Sequence, residues 1–74
     1  MTDRQKLLAT LKELGVPYTE MNSKAPVRAS VDEYAGSLTK VVSIGQGHLH
    51  FLKPSEDFVG VEWDDMGTWE PRKK

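Results

Sequence analysis

The apolar positions of this chain change period part-way along it. Leucines at 7, 8, 11 and 14 recur three and four apart, the spacing that lines one face of an α-helix. Thr2 followed by Gln5 has the capping-box spacing, Gly15 suits the left-handed residue after a last turn, and Pro17 forbids continuation. A helix is therefore predicted over 3–14. Tyr18 to Met21 reads as a short strand and NSKAPVRAS as a loop, after which Ser30 with Glu33 repeats the capping-box spacing and predicts one helical turn ending near Gly36. From Leu38 onward the period is two. LTKVVSI, HLHFL and FVGVEW are rich in β-branched and aromatic residues, and GQG and KPSED divide them, with Pro54 suited to the second position of a type I turn. The prediction is an α+β fold: an N-terminal helix packed on a three- to four-stranded antiparallel β-meander in two layers. It forms a single domain over 1–74, with 71–74 a disordered tail.

Alternation along a strand sets His48 and His50 on one face and Leu49 and Phe51 on the other. With Gln46 and Gly47 as the turn, Ile44 would face Leu49 and Val42 would face Phe51. In the next hairpin Phe51 would face Val59 and Leu49 would face Val61, around a loop over 53–57. The expected core is Val42, Ile44, Leu49, Phe51, Val59, Val61 and Trp63 beneath Leu7, Leu8, Leu11 and Leu14. On the outer face this register sets His48 across from Glu62 and His50 between Ser43 and Gly60, with Val41, Leu52 and Phe58 at the far end.

Such a face has three uses. The 18–37 segment or DDMGTWEP can cover its apolar end. It can be an interface, with Val41, Leu52, Phe58 and Trp69 meeting a second copy or another protein. Or it can bind a small ligand or metal through His48, His50, Glu62 and Ser43. Zinc at a structural site takes four protein ligands and only three suggest themselves, so no metal site and no cofactor is assigned. No catalytic residue is assigned either. With no cysteine, nucleophilic catalysis would need a hydroxyl such as Ser43 beside His50, and no elbow motif surrounds it.

Composition narrows this further. A chain of 74 residues is one small domain that buries only roughly 60% of its unfolded surface, which disfavours a large catalytic cleft. The absence of cysteine removes disulfides and Cys-ligated zinc, so stability rests on one core, helped by a partner copy. The net charge of −1 is unevenly spread: residues 54–70 hold six acids and no Lys or Arg, and 72–74 are all basic. Nucleic-acid binding therefore lacks its electrostatic footprint. Gly45-Gln46-Gly47 leads into a strand, so it lacks the helix N-terminus of a phosphate loop. MTDRQKLLATL is neither a signal peptide nor a spanning segment, and the expected location is the cytoplasm, away from membranes.

A leucine-rich helix ending in LGVPY, then IGQGHLHF, a Pro/acid turn and FVGVEWDD, resembles the small uncharacterised proteins encoded by bacteriophages and prophages, particularly those of actinobacteria. That resemblance implies a non-enzymatic protein that binds host proteins, defence components or small signalling molecules, often as an oligomer. The expected function is a phage-type host- or defence-interaction module acting as a homodimer. The alternative is a small-ligand or metal-binding protein using His48, His50 and Glu62.

Overall fold

The computed structural model describes residues 1–23, 36–64 and 68–71; the helical turn expected at Ser30–Glu33 and the tail residues 72–74 lie outside them. Helix α1 spans Asp3–Leu14. Its capping box is closed in both directions: Gln5 N donates to Thr2 Oγ1 at 3.2 Å and Thr2 N donates to Gln5 Oε1 at 3.1 Å. Gly15 ends it in the left-handed region at φ 72°, its N–H reaching the carbonyls of Leu11 and Lys12.

The strands are β1 (Thr19–Asn22), β2 (Thr39–Ile44), β3 (Gly47–Leu52), β4 (Phe58–Trp63) and β5 (Thr68–Pro71). They form one antiparallel sheet in the order β1-β2-β3-β4-β5, the meander expected, with five strands where three or four were predicted. The additional strand is β5, whose four residues TWEP end in a proline that only an edge position tolerates. Pro71, expected in a tail, pairs with Gly60.

The register of β2 on β3 differs from the expected one by two residues. The turn is Gly45–Gln46, with Gly45 at φ 54°, so Val42 faces Leu49 and Ser43 faces His48. A glycine leading a two-residue hairpin turn supplies the positive φ that the tight connection needs. Gly47 then lies across from Trp63, and a Cβ there would come within 3.0 Å of the indole ring. An even shift leaves every side chain of the hairpin on its predicted face. Between β3 and β4 the expected pairs His48–Glu62, Leu49–Val61 and His50–Gly60 are present, followed by a bulge at His50/Phe51. Beyond it Phe51 faces Phe58 instead of Val59, and their rings lie 5.5 Å apart.

Leu11, Val42 and Phe51 are the buried centre of the core, with Leu7, Leu8, Val16, Tyr18, Ile44, Leu49 and Phe58 packed around them. Leu14 and Trp63, expected in the core, are 70% and 39% exposed. Burial also extends to the other face, where Val41, Thr39 and His50 are buried.

Polar contacts at the N-terminus of α1 bind the helix to the β3–β4 loop. Glu56, buried and at φ 65°, accepts from Thr2 Oγ1, Arg4 Nη1 and Lys40 Nζ, each at 3.1 Å. Phe58 N donates to Asp3 Oδ2 at 2.9 Å, and Arg4 also pairs with Glu20 of β1. The hydrogen bond from Lys40 lowers the Glu56 carboxyl pKa, joined by the Thr2 hydroxyl and the charges of Lys40 and Arg4, against the opposing effect of burial. Among the described residues no helix is long and apolar enough to cross a membrane.

Candidate functional site

The sheet face away from α1 carries two polar chains of the same make-up. Strand β2 presents Thr39, Val41 and Ser43 to this face, and β3 presents His48, His50 and Leu52, because each set alternates with residues that point to the helix. Ser43 Oγ lies 2.7 Å from His48 Nδ1, and Thr39 Oγ1 lies 2.8 Å from His50 Nδ1. The other ring nitrogens turn towards β4: His48 Nε2 meets Asp64, and His50 Nε2 meets Glu62 at 3.3 Å. Backbone pairing places His48 opposite Glu62, as expected, yet each imidazole reaches the carboxylate one step along the diagonal. Asp64 is held there by its own backbone, whose N–H donates to Gln46 O at 2.9 Å.

The partners decide the tautomer of the neutral rings. An ionised carboxylate only accepts, so Nε2 carries the proton, and Nδ1 is left to accept from the hydroxyl. Each unit then runs hydroxyl to imidazole to carboxylate. They differ in access. Thr39 is fully buried and His50 is 8% exposed, whereas Ser43 is half-buried and the side chains of His48 and Asp64 are 26% and 53% exposed. Burial lowers the pKa of His50, and the neighbouring His48 acts the same way; the hydrogen bond and charge of Glu62 oppose them without reversing the outcome. Trp69 of β5 completes the surroundings of His50, its ring edge-on at 5.0 Å.

Of the expected binding residues, His48, His50, Glu62 and Ser43 do gather on one face. The expected interface residues do so only in part: Val41, Leu52 and Trp69 lie on this face and Phe58 does not. The bulge carries Phe58 into the helix-side core, Val41 is 4% exposed, and Trp69 packs on His50; Leu52 and Trp69 are half-buried and outside the core. Phe58 thus leaves the apolar patch inferred from the sequence for the core. Thr39 and Asp64 were not singled out from the sequence. For Asp64 a signal exists: Glu62-x-Asp64 repeats the period of His48-x-His50 on the neighbouring strand. Beside the chains lies an open groove of about 290 Å³, lined by Met21, Val41, His48, His50, Glu62 and Asp64 among others. No group of three or more His, Asp or Glu among the described residues is arranged to hold a metal ion.

Compared with known proteins, the chain matches no family model, no curated protein and no solved structure.

Proposed function

We propose that this protein is a phage-type binding protein that takes up a segment of a host or defence protein in the groove on its outer sheet face. The observation that carries this reading is the composition of that groove: Met21, 45% exposed, offers apolar contact beside the polar row of His48 and Asp64. Its 290 Å³ matches one or two side chains better than a large substrate. A few fixed polar groups in a partly apolar hollow confer orientation as well as affinity. Self-association is the competing use, with a second copy of the chain as the occupant.

Native mass spectrometry of the protein from its natural host reports subunit count and bound partner together. Met21→Lys and Asp64→Asn should each weaken the complex at least tenfold while leaving the fold intact by circular dichroism. A partner that binds both variants as tightly as wild type would place recognition elsewhere. A dimer that Met21→Lys dissociates, with no other partner bound, would make the second copy the occupant.

A further inference from the structure

We propose that Ser43 is a reactive nucleophile and that His48, positioned by Asp64, activates it towards activated acyl esters. The duplicated polar chain on this face supports it, independently of partner binding. Both chains have the connectivity hydroxyl, Nδ1, Nε2, carboxylate, but the one ending in Thr39 is sealed inside the sheet and β-branched at the hydroxyl carbon. The one ending in Ser43 has a primary hydroxyl that is half-buried, 2.7 Å from the imidazole nitrogen that must accept its proton. His48 Nε2 is held by Asp64, so the ring presents Nδ1 unprotonated to Ser43 and can stabilise the imidazolium that forms. The ring is used the other way round from a chymotrypsin-type triad, with the hydroxyl on Nδ1 and the carboxylate on Nε2.

The step balances without an outside reactant. Ser43 Oγ bonds to the ester carbonyl carbon as its proton passes to His48 Nδ1. The bond from carbon to the leaving oxygen then breaks, and that oxygen takes the proton from Nδ1, leaving an acyl-serine and a free alcohol. Water, deprotonated by the same nitrogen, releases the acid and regenerates Ser43. Ser43 is paired to Thr19 on one side and His48 on the other, so its backbone is committed to the ladder and offers the oxyanion little help. That restricts the substrate class to esters with a phenol-like or enol-like leaving group, which need least assistance. The groove beside His48 and Asp64 has room for such a ring.

The test uses the intact protein with p-nitrophenyl acetate and, separately, a fluorophosphonate probe. Wild type should give a single adduct that peptide mapping assigns to Ser43. The rate should fall by about 100-fold in His48→Gln, in line with a lost general base. Asp64→Asn should lower it tenfold or more, and Ser43→Ala should abolish the adduct without changing the circular dichroism spectrum. Ser43→Cys keeps a nucleophile at the position and should be alkylated by iodoacetamide faster than the same variant carrying His48→Gln. Hydrolysis that persists unchanged in Ser43→Ala, an adduct on another residue, or equal alkylation with and without His48 would each overturn the proposal.

Discussion

His50 is the residue whose surroundings bear most directly on behaviour in solution. It is buried between the Thr39 hydroxyl, the Glu62 carboxylate and the Trp69 edge, with His48 two residues away on the same face. Its pKa is lowered below the ordinary 6.5, so in acid the unfolded chain takes up a proton before the native state does. Well above 6.5 both states are deprotonated there and the titration of His50 adds no pH dependence to stability; below it, stability falls until the lowered native pKa is passed. The expected outcome is a wild-type melting temperature that declines from pH 7 to pH 5, and a His50→Gln variant with a visibly shallower decline. The variant itself should be less stable at pH 7 by about 1–2 kcal/mol, because Thr39 and Glu62 lose a shared partner. Parallel declines in the two proteins would show that some other group carries the acid sensitivity.

Among the elements, β4 is where the polypeptide departs furthest from simple alternation. Had β4 run regularly, Phe58 would lie on the histidine face; the bulge turns it towards Phe51 and the helix. Phe58→Ala should accordingly cost about 3 kcal/mol, a core-sized loss, while Leu14→Ser at the exposed end of α1 should stay within about 0.5 kcal/mol. Chemical denaturation of both variants checks the contrast, and a mild Phe58→Ala would argue that the ring is not part of the core. The same element shows what the amino-acid pattern can and cannot disclose. The side on which Leu49, Phe51 and Val42 lie follows from alternation, which is local. The two-residue shift of β2 on β3 does not, because Val42 is buried equally well against Leu49 or Phe51 and the choice falls to the turn at Gly45. Gly60 inside FVGV is compatible with a bulge, but nothing in the pattern says which residue is extra, so the turn of Phe58 was not legible. In the site, His48-x-His50 and Glu62 were legible from spacing. The diagonal that selects Asp64 for His48 comes from how the strands meet, and no single strand contains it.

At the scale of the whole molecule, the helix rests on the buried Leu11, flanked by the partly buried Leu7 and Leu8, and on the polar cluster around Glu56. Glu56→Gln removes the charge that Arg4 and Lys40 share while keeping the size of the side chain, and should destabilise the domain by about 2 kcal/mol, or on the order of 10 °C in melting temperature. The lowered Glu56 pKa adds a second acid limb, distinct from that of His50. The carboxylate contributes its full stabilisation above about its ordinary 4.5 and loses it as pH falls through the lowered native value. In Glu56→Gln that limb should be absent, and amide exchange in α1 should quicken relative to β3. Unchanged exchange in α1 would mean that the apolar contacts of Leu7, Leu8 and Leu11 hold the helix in place.

The cluster also has a consequence for how the chain is made. Each strand finds its neighbour next to it in sequence, so the sheet can assemble in step with synthesis. The helix cannot, since Thr2 meets Glu56 across 54 positions. On the ribosome, α1 therefore waits as a 12-residue segment, at a length where an isolated helix is barely stable, until the loop after β3 emerges. Leu11 completes its packing only once Val42 and Phe51 have been made, so part of the apolar stripe stays uncovered for most of that interval.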